Sequence, residues 1–191
     1  MKNSDKREEI MQAALELIAE HGFHGAPMAM IADKAGVGAG TIYRYFESKD
    51  VLINELYREL EGKLLAYLRE GYSAADPIRE RFLHVCSALL RYFISNPLYF
   101  RYMEQYMNSP FGIALRRDRL MGQQDEDDLF RTLLEEGASQ KDLKGLPFFI
   151  LFALTLGPLI VLMRDNALGL ISVDDAQIRQ VVEACWDGVK R

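Results

Sequence analysis

The sequence predicts an all-α protein, and three observations carry that expectation. Apolar residues recur at helical spacing along almost all of the 191 residues. No segment alternates apolar and polar residues in the way a half-buried strand requires. The breaks between helical stretches, "HGFHGAP", "GVG", "ESKD" and "GYSAADP", hold the glycine, proline and small polar residues that stop and start helices. With 49% hydrophobic and 27% charged residues, the chain has enough apolar surface to bury a core and reads as soluble and globular.

The first helix is expected over about Asp5–Glu20. Ile10, Ala14, Leu17 and Ile18 make its apolar stripe, Asp5 and Glu8 have the spacing of a capping box, and His21-Gly22 ends it. Pro27 suits the first turn of a second, short helix reaching about Ala35. Gly36-Val37-Gly38 breaks that helix, and a third follows over about Ala39–Phe46. Ser48 is placed to cap a fourth, with Asp50 in its first turn favoured by the helix dipole, and this helix reaches about Glu70. Beyond Pro77, helices are expected at about Ile78–Ser95, Leu98–Asn108, Ile113–Met121, Asp125–Gly137, Lys144–Asn166 and Val173–Lys190. There is no repeat and no low-complexity linker, so the boundary between two parts is expected inside or just after the fourth helix. The division is drawn as residues 1–50 and 51–191.

Charge and cysteine usage narrow the function. The net charge is −5, and the first fifty residues hold six Lys or Arg against eight Asp or Glu, so any nucleic-acid site is a local patch. Cys86 and Cys185 have neither disulfide-framework nor CxxC spacing and read as buried thiols of a reducing compartment. The charged start "MKNSDKREEI" has no apolar stretch behind it, and a cytoplasmic location is expected.

The stretch "AGVGAGTIYRYFESKDVL" holds the densest chemistry. Two short helices around a glycine turn, the second presenting polar groups, make a helix-turn-helix over about residues 28–46. Gly38 and Gly40 remove bulk, so the N–H groups of Ala39 and Gly40 can meet phosphate. Thr41 and Arg44 lie three apart on one face, and Arg44 is suited to guanine O6 and N7. Tyr43 and Tyr45 can donate to phosphates, Lys49 adds a charge beside the next helix, and Ile42 and Phe46 face inward.

The run "MAMIADKAGVGAGTIYRYFESKDVLINEL" resembles the DNA-binding domain of the TetR (tetracycline-repressor-like) family. Ile31-Ala32, Ala35-Gly36-Val37, Gly40-Thr41-Ile42-Tyr43, Phe46, Ser48-Lys49 and Leu52 match that family's run in order, and the resemblance covers about residues 5–60. Two hydroxyl positions depart from it: Pro27-Met28 open the second helix and Gly38 caps the third. The backbone N–H groups of Met28 and Ala29 are the substitutes for phosphate binding. The resemblance implies a three-helix DNA-binding domain followed by a helical domain that dimerises and encloses a small-molecule site.

No motif marks residues 61–191, so their own pattern carries the rest. "LPFFILFALTLGPLIVLM" is eighteen residues without a charge, interrupted by Thr155, Gly157 and Pro158, and reads as a buried central helix or dimer face rather than a membrane span. With the apolar stripe of the last helix it fits the four-helix dimer bundle the resemblance implies, and Leu159, Val161, Leu162, Ile178, Val182 and Trp186 are the expected dimer contacts. Aromatic and methionine residues crowd between these helices and the middle of the chain. Phe93, Tyr99, Tyr102, Met103, Tyr106, Phe148, Phe149 and Phe152 are the expected lining of a cavity for a small apolar or aromatic effector, with core packing the competing reading at each. Arg116, Arg117 and Arg119, and the acidic run Asp125–Asp128, read as solvated faces.

Nothing points to catalysis. No nucleophile elbow, P-loop or dinucleotide fingerprint is present, the three histidines complete no metal set, and no cofactor is called for. The expected function is that of a homodimeric transcription regulator that binds double-stranded operator DNA. It is read as a repressor released by its effector. The alternative is a helical carrier or protein-interaction module with weak or no operator binding.

Overall fold

The computed structural model describes residues 2–121 and 128–191, and among them every named element is a helix. Backbone contacts divide the chain into two compact units. One is Met1–Lys63 with Leu98–Ile113, the other Leu64–Pro97 with Ala114–Arg191. The first change of unit falls inside the fourth helix, between Lys63 and Leu64, and a later segment returns to the first unit.

The first unit opens with α1 (Lys2–Gly25), in which Ile10, Ala14 and Ile18 are fully buried. Its helical geometry is lost at Gly22, with φ 70° and ψ 177°, where the sequence placed the stop. Its start differs from the expectation. The polar residues before Asp5 join the helix, so Asp5 lies in the first turn rather than at the cap of a capping box. Next come α2 (Met28–Lys34), with Pro27 at its N-cap rather than inside its first turn, and α3 (Ala39–Tyr45). The helix α4 (Lys49–Arg69) starts where Ser48 Oγ accepts the Val51 N–H at 3.2 Å. The helix α6 (Pro97–Met107) and the first turn of α7 (Pro110–Met121) complete this unit.

In the second unit, α10 (Asp175–Val189) packs on α5 (Ile78–Ser95) and α9 (Phe148–Ala167), and α8 (Leu129–Ser139) bridges α5 and α9. A capping box opens α10, with Asp174 accepting the Gln177 N–H at 2.8 Å and the Gln177 side chain accepting the Asp174 N–H at 2.9 Å. The start of α9 is Phe148 and not Lys144. The Lys144 N–H instead bonds the Val189 carbonyl at 2.8 Å, and Pro147 serves as the N-cap. Asp128 caps α8, while residues 125–127 of the acidic run and the Arg119 side chain lie outside the described residues. Arg116 and Arg117 are exposed.

The apolar helix α9 is buried on one face only, through Leu151, Thr155, Leu156, Leu159 and Met163. Phe149, Leu154 and Val161 stay 60%, 44% and 49% exposed, so of the two expectations for this helix a single chain does not meet the buried central one, and the dimer face stays open. Among the described residues, α9 is the one helix long and apolar enough to cross a membrane by length and composition.

Candidate nucleic-acid interface

The turn between α2 and α3 is fixed by backbone chemistry. Val37 N–H bonds the Ala32 carbonyl at 2.9 Å and Gly36 N–H the Asp33 carbonyl at 3.0 Å, the paired bonds of a Schellman cap. Gly36 carries the left-handed φ of 62° that this cap requires, which most other residues would adopt only with strain. Gly38, at φ −67° and ψ 150°, then opens α3 without any side-chain cap, and Ala39 and Gly40 behind it are exposed. The first N–H groups of α3 are therefore left for an external acceptor. The same holds at α2, where Pro27 offers no side-chain cap. Ala29 is exposed there, and Met28 is buried.

The faces of α3 are sharply divided. Ile42 and Phe46 are fully buried, while Tyr43 is 53% exposed and Arg44 is exposed. Thr41 and Tyr45 are half-buried at the edges of that face.

Most cations near this face are held internally. Lys34 pairs with Glu16 at 2.8 Å. Arg7 of α1 reaches Glu55 of α4 at 2.8 Å and Glu59 at 3.5 Å. The Lys49 ammonium donates to the Phe23 carbonyl, and burial lowers its pKa while neighbouring Asp50 opposes that fall. Arg44 makes no ion pair among the described residues and stands ready for an anion or a base edge. The sequence read Lys49 as a second such group, because a partner 26 residues upstream leaves no mark in local spacing.

The eight expected cavity residues are divided between the two compact units. Tyr99, Tyr102, Met103 and Tyr106 belong to the first compact unit, and Phe93, Phe148, Phe149 and Phe152 to the second. Tyr102 is fully buried and Tyr106 nearly so, both hydrogen-bonded to α4, so these two are core residues beside the helix-turn-helix. Phe93 is buried in α5, Phe149 is exposed, and Phe148 lies between Phe152 and the Arg131 guanidinium, 4.0 Å from its ring. A half-open cleft of about 290 Å³ in the second unit is lined by Tyr67, Glu70, Leu83, His84, Ser87, Ala88 and Arg91 and includes none of the eight.

The expected dimer contacts also redistribute. Leu159, Ile178, Val182 and Trp186 are buried within the chain because the α10 stripe is spent against α5 and α9, with Trp186 5.4 Å from Phe82. Leu162 is half-buried, and Val161 alone of the six is exposed. Sequence reasoning missed that Phe149 and Leu154 of the same helix would be exposed as Val161 is, and missed Phe23, Tyr57 and Phe111 as neighbours of the α6 tyrosines. Their apolar character was visible, but not which helix would cover them. Among the described residues no group of three His, Cys, Asp or Glu side chains could hold a metal ion.

Comparison with known proteins agrees with this geometry. The family of bacterial regulatory proteins of the tetR type matches residues 10–56, and the tetracyclin repressor-like C-terminal domain matches residues 77–190. The chain is 35% identical over 79 residues to the fatty acid metabolism regulator protein of Bacillus subtilis, covering 41% of each. It is 28% identical over 107 residues to an HTH-type transcriptional regulator of Haemophilus influenzae, covering 56% of this chain and 57% of that one. The chain thus spans about half the length of the curated relatives it matches. Among solved structures, a TetR family transcription regulator from Marinobacter aquaeolei superposes with a TM-score of 0.84 at 23% identity, covering 100% of this chain and 98% of that one. FadR from Bacillus subtilis, solved with stearoyl-CoA, gives 0.73 at 20% identity, covering 94% and 95%.

Proposed function

The chain belongs to the TetR family of bacterial regulatory proteins, and on that premise we propose that it is a sequence-specific transcription regulator, a cytoplasmic repressor released from operator DNA by an apolar effector. The observation that carries the reading is the division of α3. Ile42 and Phe46 anchor the helix, so that Tyr43 and Arg44 are held exposed with Thr41 at the edge of their face, behind N–H groups that no side chain caps. Arg44 reads a guanine edge, Tyr43 and Tyr45 position the helix on phosphates, and the uncapped N–H groups at Met28, Ala29, Ala39 and Gly40 replace the hydroxyls the family carries.

Two copies are needed, because one short recognition helix reads only a half-site, and half-sites in successive major grooves lie about 34–36 Å apart. The exposed apolar stripe of α9, with Phe149, Leu154 and Val161 around the small residues Ala153 and Gly157, is the surface a second copy covers. An effector that binds better to copies with a different spacing of their recognition helices draws the population off the operator. A relative named as a fatty acid metabolism regulator and a neighbour solved with stearoyl-CoA support an effector with an acyl chain or a similar apolar body.

Selection from a pool of random duplexes tests this. The expected result is enrichment of a two-fold symmetric sequence that the chain binds at least a hundred-fold more tightly than random DNA, a modest ratio for a specific site. Failure to enrich any sequence would leave the carrier or interaction module as the better account.

A further inference from the structure

The segment 98–113 lies far along the chain from the helix-turn-helix, yet it folds into the same compact unit. Its side chains show why. Tyr102 is fully buried and its hydroxyl donates to the Ile53 carbonyl of α4 at 2.6 Å. Tyr106 donates to Asn54 Oδ1 at 2.7 Å, and Asn54 Nδ2 in turn donates to the Asp50 carbonyl at 2.8 Å, in the first turn of α4. The Tyr106 ring stacks on Tyr57, with centroids 3.9 Å apart and planes 11° from parallel.

The same segment grips the other end of the motif. The Phe23 ring meets Tyr102 edge-on at 6.2 Å and Phe111 at 6.4 Å, and its carbonyl accepts the Lys49 ammonium. Phe23 stands just after the break in α1, and Lys49 is the first residue of α4. The helix-turn-helix, residues 28–45, is therefore a loop whose two ends are tied to each other and to α6.

From this geometry we propose that Tyr102 and Tyr106 are positioning residues for operator binding, setting the pose of α2 and α3 through their hold on Phe23 and the first turns of α4. The inference rests on the DNA-binding reading above. Neither tyrosine can touch a duplex, since both are buried, so they act through the two ends of the motif. The hydroxyls matter beyond the packing of the rings. Each directs one bond at one atom of α4 and so fixes register and rotation, which apolar contact leaves freer. Burial pushes the Tyr102 phenol well above its ordinary range, so it remains a donor at every working pH.

The test uses the full chain and the duplex that the wild type selects from a random pool. Tyr106→Phe keeps the ring and removes the hydroxyl. It is expected to lose about five- to twenty-fold in affinity, the scale of one hydrogen bond, at temperatures far below its melting point. The slope of log affinity against log salt should stay at the wild-type value, because no phosphate contact is removed. Asn54→Ala should lose a similar factor, and adding Tyr106→Phe to it should cost nothing more, as expected for two ends of one bond. Tyr102→Phe should behave as Tyr106→Phe does. Wild-type affinity in a folded Tyr106→Phe chain, or losses from Tyr106→Phe and Asn54→Ala that simply multiply, would overturn the proposal. A wild-type chain that selects no duplex would overturn the DNA-binding reading itself, and this proposal with it.

Discussion

Arg44 and Lys49 are five residues apart and carry the same charge, but their surroundings give them different work. Arg44 is exposed and makes no ion pair among the described residues, while Lys49 is half-buried and spends its ammonium on the Phe23 carbonyl. Arg44→Ala is expected to cost about 1–3 kcal/mol at one guanine position and to relax selectivity there, read by binding to operator variants substituted base by base. Lys49→Ala is expected to weaken every duplex by a similar factor and leave the salt slope unchanged, since the loosened join of α1 to α4 misplaces the motif without losing a phosphate contact. A slope reduced by about one would instead show a direct phosphate contact, as the sequence alone implied for this residue. The contrast marks what was legible at this scale. The inward pair Ile42 and Phe46 and the outward Thr41 and Arg44 follow from the helical repeat, a local property. The partner of Lys49 depends on where α1 ends in space, and no local pattern encodes that.

The elements themselves were largely legible, because their ends carry strong local chemistry: Gly22, Gly36 and Ser48 each stop or cap a helix where the residue type implied, while the cap at Asp174 falls one residue inside the helix expected from Val173. The unit to which an element belongs was not. On α6, Tyr99, Met103 and Tyr106 make a helical stripe that would serve a cavity or a core equally well, and it takes the long-range bond to Asn54 to place Tyr106 in the core. The α6–α7 corner shows how tightly that decision is built. Ser109 Oγ donates to the Tyr106 carbonyl at 2.6 Å, and a Cβ placed on Gly112 would lie 2.1 Å from that same carbonyl oxygen. Only glycine fits against this backbone. Gly112→Ala is expected to force the corner apart and destabilise the chain by about 1–3 kcal/mol or more, seen as a lowered melting temperature. A melting temperature equal to the wild type would mean that the corner yields freely and does not brace α6.

At the scale of the whole molecule, two apolar faces compete for the role of subunit contact, and burial separates them. The α10 stripe looked free in sequence, because a single helix read alone shows no partner. In the folded chain Val182 is 1% exposed and Trp186 6%, both covered by α5 and α9. The face left over is on α9, where Val161 and Phe149 remain 49% and 60% exposed. Substituting a charge at the two kinds of position therefore gives different outcomes. Val182→Asp buries an unpaired carboxylate in the chain's own core, at a cost of several kcal/mol, and is expected to abolish the cooperative thermal transition. Val161→Glu places its charge on a side chain that is 49% exposed in a single chain and can reach water, so the helical circular dichroism should persist while the mass by light scattering falls from two chains to one. That monomer should also lose most of its operator affinity, because each half-site is then bound without the effective concentration its partner supplied. A Val161→Glu chain that remains a dimer would move the contact off α9, and a wild type that is already monomeric would remove the subunit interface from the account of how this protein holds DNA.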